Sequence, residues 1–162
     1  LYSMVDMNTA RTFQIDSIGL GATYAFGEQV GARLRGGEVF ELVGDLGSGK
    51  TALVRGFAQA LDLQDEVTSP SFTINNLYKS KKLNLSHYDF YRLSEAGVMK
   101  NELVESIDEP NTVVLIEWGD TVKDVLPDNR VVITCTTTGE ETRRYNCSYP
   151  DSLSYLFEGV EK

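Results

Sequence analysis

Residues 44–51 read Gly-Asp-Leu-Gly-Ser-Gly-Lys-Thr and satisfy the pattern G-x-x-x-x-G-K-[ST] at every position. Glycines at these positions let backbone N–H groups turn inward and crowd round an anion, which a Cβ would obstruct. Lys50 would bring a mobile positive charge to β- and γ-phosphate oxygens, and the Thr51 hydroxyl would enter a Mg2+ shell. A helix starting behind the loop adds a positive dipole end. The chemistry implied is the binding of a nucleoside triphosphate.

Such a loop needs a second acid for the metal and a group that orients a nucleophile. Glu117 ends the apolar run 113–116, where a strand-end acid would stand beside the loop; the alternative is an exposed strand-end carboxylate. Asp89 lies in His87-Tyr88-Asp89-Phe90-Tyr91-Arg92, alternating with aromatics, and can face the same site; the alternative is an ion pair with Arg92. His87 is the only histidine. A lone imidazole reads first as a satisfied structural side chain. The hydroxyl-rich residues 69–73 (Ser-Pro-Ser-Phe-Thr) suit either a switch loop sensing γ-phosphate or a plain turn. Trp118 reads as packing rather than base stacking. Lys79, Lys81 and Lys82 form a local basic spot: a solvated hairpin tip, or a docking point for RNA or an acidic partner. The guanine-reading N-K-x-D pattern is absent, and the D-x-x-G match at residues 16–19 precedes the loop, so ATP is preferred over GTP. Arg55 and Arg92 keep a small-molecule kinase open as a rival. A nucleotide-gated binding module is a second.

The elements that must position these groups follow from periodicity. Leu20, Ala22, Ala25, Phe26, Val30 and Leu34 predict a helix over 20–34, ended by Gly36-Gly37. Residues 38–43 read as a strand leading into the glycine loop, and Leu53, Val54, Phe57, Ala58 and Leu61 as one face of the helix that follows. A loop is expected at 68–76, a hairpin with its tip at 79–82, and a helical patch over 94–107. Residues 113–118 are the most apolar strand and are expected at the sheet centre; 130–136 and 143–149 read as strands joined near Gly139, and 152–160 as a closing helix. The expected fold is α/β: a three-layer, P-loop NTPase-like arrangement whose central sheet is mostly parallel with antiparallel edge strands. Residues 1–15 are read as an N-terminal segment, in part an expression remnant or trimmed, and 16–162 as a single P-loop ATPase domain.

Composition narrows the setting. A chain of 162 residues with 41% hydrophobic residues can bury a core without staples. Its net charge of −9 argues against a protein that coats nucleic acid, which needs a basic footprint. The run 113–116 is the longest aliphatic stretch, far short of the ~20 residues that span a bilayer, so no membrane role is expected. Cys135 and Cys147 read as buried thiols rather than a disulfide, and the cytoplasm is the default compartment.

Taken together, GDLGSGKT (44–51), SPSFT (69–73), HYDFYRL (87–93) and IEW (116–118) resemble, in order and spacing, the bacterial TsaE (YjeE) family from about Asp16 to Tyr149. The resemblance implies a small ATPase needed for threonylcarbamoyladenosine, the modified base beside the anticodon of tRNAs reading ANN codons. It implies work with the TsaD–TsaB heterodimer, which carries the transfer chemistry and which ATP hydrolysis resets between turnovers. It puts Leu46, Gly47, Ser48, Gly49, Lys50 and Thr51 around the phosphates, Thr51 and Glu117 on Mg2+, and Asp89 as a second essential acid that can also serve the metal. Leu20 would border the nucleotide. Arg143 would reach it too, with Arg144 an equal candidate. Ser71 stands where the family usually has Thr, and Gly119-Asp120-Thr121 replace the usual residues after Glu117-Trp118. The activity expected is Mg2+-dependent ATP hydrolysis, weak in the monomer alone and stimulated by TsaD–TsaB, with tRNA met indirectly through that complex. Lys50, Asp89 and Glu117 are the expected catalytic residues.

Overall fold

The computed structural model describes residues 10–45, 47–63, 75–91 and 97–160. Its elements are β1 (Ala10–Ile18), α1 (Gly19–Gly31), β2 (Val39–Val43), α2 (Lys50–Ala60), β3 (Asn75–Lys79), β4 (Asn84–Asp89), α3 (Val98–Asp108), β5 (Thr112–Glu117), β6 (Val131–Thr137) and β7 (Thr142–Pro150). Short 3-10 segments occupy Gly119–Val125 and Asp151–Leu156. The strands form one seven-stranded sheet in the order β1-β7-β6-β2-β5-β4-β3. Its interior pairings, β6–β2, β2–β5 and β5–β4, are parallel. The outer pairings, β1–β7, β7–β6 and β4–β3, are antiparallel. This is the expected fold class, with the parallel strands in the middle and antiparallel strands towards both edges.

The sheet is covered on both faces, and the two-residue period of each strand decides which face a residue serves. Val113 and Leu115 join Phe40, Leu42, Leu85 and Ile133 beneath α1 and α2. Val114 and Ile116 join Val39 and Tyr88 beneath α3 and the first 3-10 segment, through Leu103, Val122 and Leu126. Every residue of β5 is buried, as its unbroken apolar run requires for a parallel strand with helices on both sides. Phe40 and Phe57 meet edge-on at 5.0 Å, both fully buried. Each such ring contributes about 1.5–3 kcal/mol by leaving water.

α1 and α2 touch almost backbone to backbone. A Cβ at Gly27 would lie 2.7 Å from the Leu53 carbonyl oxygen, and one at Gly56 2.8 Å from Gly27 Cα. Small residues at this crossing hold α2, and the loop that precedes it, close over the sheet. At the opposite end, buried Glu38 accepts hydrogen bonds from Arg35 N at 2.8 Å, Gly36 N at 2.7 Å and the Tyr155 hydroxyl at 2.5 Å, pinning the Gly36-Gly37 turn. Burial and the Glu38 carboxylate together raise the Tyr155 pKa.

Several expectations change. β1 was not anticipated, because only Phe13 and Ile15 give its inner side an apolar signature in an otherwise polar segment. The expected boundary between residues 15 and 16 falls inside β1, so residues 10–15 belong to the sheet. Asn75 and Asn76 open β3 instead of closing a loop. β5 lies beside the middle strand, β2, rather than at the centre itself. The closing helix is a single 3-10 segment, in which Leu153 and Leu156 are buried among aromatic rings. Cys135 and Cys147 are buried free thiols. Among the described residues no helix is long and apolar enough to cross a membrane.

Candidate functional site

The connection from β2 to α2 turns on glycine. Gly44, Gly47 and Gly49 have φ of 151°, 77° and 103°. A Cβ at Gly44 would lie 2.5 Å from the Cys135 carbonyl oxygen, and one at Gly49 2.6 Å from Tyr145 Oη. Ser48 N donates to Asp45 O at 3.1 Å and closes the turn. Gly49 is the N-cap of α2 and offers no side-chain acceptor. The first N–H groups of a helix have no intrahelical partner, so this end suits an anion.

Three charged side chains converge behind the loop. Lys50 is 5% exposed, and its Nζ donates to Gly44 O at 2.5 Å. The same nitrogen lies 3.7 Å from Glu117 Oε1 and 4.6 Å from the centre of the Trp118 ring. Glu117 Oε2 accepts from His87 Nε2 at 2.6 Å. Asp89 is the register partner of Glu117 across β4 and β5, and its Oδ1 accepts from Tyr91 N at 2.9 Å. His87, Asp89 and Glu117 all fall on the strand face that carries α2, because each is an even number of residues from Leu85 or Leu115. Trp118 takes a left-handed conformation (φ 56°) directly after Glu117, and its ring packs 4.8 Å from Tyr91.

On the outer side of the loop a cleft of about 570 Å³ opens between α1, α2 and the β6–β7 turn. Leu20, Thr23, Gly47, Gly49, Thr51, Arg143 and Tyr145 are among its walls. Leu20 is 63% exposed at the rim. Arg143 shares the inner face of β7 with Tyr145, and its guanidinium donates to Thr142 O at 2.9 Å and Gly139 O at 3.2 Å. Arg144 points to the other face and pairs with Asp16 at 2.8 Å, which holds the Asp16 carboxyl below its ordinary range. Strand alternation thus resolves the pair in favour of Arg143 as the cleft residue. Tyr145 Oη lies 3.4 Å from Gly49 O and 3.2 Å from Thr23 Oγ1, and Thr23 is 2.7 Å from Ser17 Oγ. Burial pushes the Tyr145 hydroxyl up to about 12, and the Cys135 thiol under the loop likewise to about 12.

Of the residues expected from sequence, Gly47, Ser48, Gly49, Lys50 and Thr51 lie on the loop and first helical turn, Asp89 and Glu117 side by side behind it, and Leu20 and Arg143 at the cleft. Leu46, the 69–73 loop and Arg92 lie outside the described residues. The hydroxyl of Thr51 and the carboxylates of Asp89 and Glu117 are oxygen donors, the chemistry a Mg2+ ion prefers. Among the described residues no group of three or more His, Cys, Asp or Glu forms a metal cage. A Mg2+ ion is commonly held by one or two carboxylates together with substrate phosphates and water. Sequence reasoning missed Thr23 and Tyr145, which no local motif marks.

A loop, lysine and strand-end acid of this form occur in many nucleotide-binding folds, so the family rests on the wider chain. The profile of the family described as Threonylcarbamoyl adenosine biosynthesis protein TsaE matches residues 19–145. The chain belongs to the TsaE family. That family serves tRNA threonylcarbamoyladenosine biosynthesis. The tRNA threonylcarbamoyladenosine biosynthesis protein TsaE of Nostoc sp. (strain PCC 7120) is 32% identical over 141 residues, 82% of this chain and 86% of that one. The protein of the same name from Bacillus subtilis is 33% identical over 121 residues, 75% of each chain. For the one from Synechocystis sp. the identity is 38% over 102 residues, 61% of this chain and 65% of its relative. A crystal structure of Bacillus subtilis YdiB superposes with a TM-score of 0.76 at 27% identity, covering 93% of this chain and 95% of that one.

Within this TsaE chain the lysine cluster sits away from the loop. Lys79, Lys81 and Lys82 surround the β3–β4 hairpin tip, which Ser80 organises by donating to Leu83 O and accepting from Leu83 N. β4 starts beside that tip and ends at Asp89, about 17 Å further along at 3.3 Å per residue.

Proposed function

We propose that this chain is a Mg2+-dependent ATPase, one nucleotide-binding domain that supports threonylcarbamoyladenosine formation on tRNA by acting on the TsaD–TsaB complex. The observation that carries the reading is Lys50, buried behind a glycine loop and facing both a loop carbonyl and the strand-end acid Glu117. A buried ammonium held beside a helix N-terminus is arranged to meet anionic charge, not water.

In this reading the backbone of residues 46–51 cradles the phosphates, and Lys50 neutralises charge on the transferring γ-phosphoryl. Thr51, Glu117 and Asp89 would hold Mg2+, which when bound screens the β- and γ-phosphate oxygens. Asp89 or Glu117 orients the attacking water. Leu20 and Arg143 border the nucleoside side of the cleft, and the missing guanine-reading motif favours ATP. Arg143 is tied to the carbonyls of its own turn, so hydrolysis by the monomer is slow and the partner complex accelerates it. The chain works in the cytoplasm and meets tRNA through TsaD–TsaB, consistent with its −9 charge.

The test is reconstitution of TsaD and TsaB on unmodified tRNA, with this protein, with its Lys50→Ala variant, or with neither. Repeated rounds of modification and phosphate release should need the unmodified protein. Modification that proceeds equally without it, or full hydrolysis rates indifferent to TsaD–TsaB, would refute the coupling. Phosphate transferred to a metabolite would instead make it a kinase, and nucleotide binding with no release a gated binding module.

A further inference from the structure

We propose that His87 is a positioning residue, whose Nε2–H fixes the Glu117 carboxylate in the orientation that serves the nucleotide site. The hydrogen bond is 2.6 Å long, and both partners are sealed from solvent, His87 at 0% and Glu117 at 4% exposure. A glutamate side chain has three rotatable bonds, and freezing them costs entropy unless something holds the end. Here both ends of the carboxylate are engaged: Oε2 by the imidazole and Oε1 by Lys50 at 3.7 Å.

The strand register explains why histidine is the residue for the task. Asp89, not His87, is directly opposite Glu117; His87 is opposite Leu115, one same-face step back along β4. The imidazole spans that step. It reaches Glu117 from below and leaves the loop side of the carboxylate towards Lys50.

The proton inventory assigns the tautomer. A carboxylate only accepts, so Nε2 carries the hydrogen that is donated. Nδ1 is buried with no hydrogen-bond partner among the described residues. In this tautomer it is a bare lone pair, whereas an Nδ1–H would be a buried donor with nothing to donate to. An apolar side chain would fill the same volume without burying any polar atom. The imidazole is therefore matched to one partner, Glu117, as ligand-orienting histidines and carboxylates are matched around metal sites.

The role of Glu117 in hydrolysis rests on the function proposed above; the hydrogen bond does not, and the test separates the two. His87 is the only histidine, so the full chain labelled with 15N at the imidazole gives a single spin system. Long-range 1H–15N correlation should show protonated Nε2 and bare Nδ1, and Glu117→Ala should abolish that signature by releasing the proton to exchange. His87→Leu and His87→Asn, neither of which donates from the Nε2 position, should raise the Mg2+ concentration needed for half-maximal nucleotide binding about tenfold. They should lower kcat about 10- to 100-fold while leaving metal-free ATP affinity within about twofold. His87→Gln, whose amide nitrogen overlays Nε2, should recover most of both losses. Added to Glu117→Ala, His87→Leu should cost nothing further.

An unchanged Mg2+ requirement in correctly folded His87→Asn, or a full additional loss on the Glu117→Ala background, overturns the proposal and leaves His87 as core packing. If the unmodified protein hydrolyses no ATP with or without partners, the ATPase reading fails; the imidazole spectrum and the Mg2+ titration still decide the role of His87.

Discussion

Tyr145 Oη lies 3.4 Å from the carbonyl oxygen of Gly49, so a strand near the far edge of the sheet props up the N-cap residue of α2. Tyr145 Oη also meets Thr23 Oγ1, and Thr23 Oγ1 meets Ser17 Oγ, linking β1, α1 and β7 to the loop in one hydrogen-bonded chain.

That tyrosine makes stability pH-dependent at the alkaline end. Its pKa is raised from 10.0 to about 12 in the folded protein, chiefly by burial. The unfolded chain therefore loses this proton first. Its contribution is complete below pH 10 and is lost as pH rises from 10 towards 12, amounting to about 2–3 kcal/mol. Cys135 adds a loss of the same sign starting near 9.0. Urea denaturation at pH 8, 10 and 11 should show the decline, and Tyr145→Phe should remove the tyrosine share; an identical decline in that variant would disprove the assignment.

Gly44 and Gly47 should respond differently to alanine. Gly44→Ala drives a Cβ to 2.5 Å from the Cys135 carbonyl, where neither backbone can yield cheaply, and should cost about 2–4 kcal/mol. Gly47→Ala meets nothing within 4 Å and bears only the strain of φ 77°, about 1–2 kcal/mol. Chemical denaturation of the two variants side by side checks the ranking.

At the helix crossing, Gly27→Ala puts a methyl 2.7 Å from Leu53 O and 3.0 Å from Gly56 Cα. Prying α1 from α2 should cost about 1–3 kcal/mol and loosen the cleft between them, weakening the proposed nucleotide binding. Thermal melting with and without ATP measures both effects; an unchanged melting temperature would mean the helices are not held at this point.

Arg143→Ala should weaken nucleotide binding about 5- to 20-fold, a loss of about 1–2 kcal/mol. Arg144→Ala breaks an exposed pair with Asp16 and should leave affinity within about twofold. Isothermal titration with an ATP analogue distinguishes them, and equal losses would count against the face assignment.

Lys50→Ala should reduce turnover below detection, while a melt reports whether removing the ammonium from beside buried Glu117 also destabilises the fold. Phosphate release at the normal rate would remove the loop from the mechanism altogether.

What could be read from the chain alone was whatever is contiguous. The glycine loop was legible because its backbone conformation demands particular residues in a row, and β5 because a strand buried on both faces needs an unbroken apolar run. Glu117 was legible as a strand-end acid and Asp89 as an acid alternating with aromatic residues. The edge strand β1 was not, since a strand paired on one side only needs little apolar content to hold its place.

The relationships between distant residues needed the tertiary structure. His87 and Glu117 are 30 positions apart, and Tyr145 and Gly49 are 96 apart. No local pattern encodes such pairs; they arise when the register of β4 on β5, and of β7 on β6, brings alternate side chains to one face. The choice between Arg143 and Arg144 has the same origin. Neighbours on a strand point to opposite faces, so a single-residue difference, invisible to composition, decides which arginine meets the cleft. The sequence by itself determined the presence of a glycine loop of the G-x-x-x-x-G-K-[ST] pattern with two candidate acids, because those are local chemical requirements. Only the folded sheet decided which side chains hold those acids and that loop in place, because strand register is a property of the whole chain.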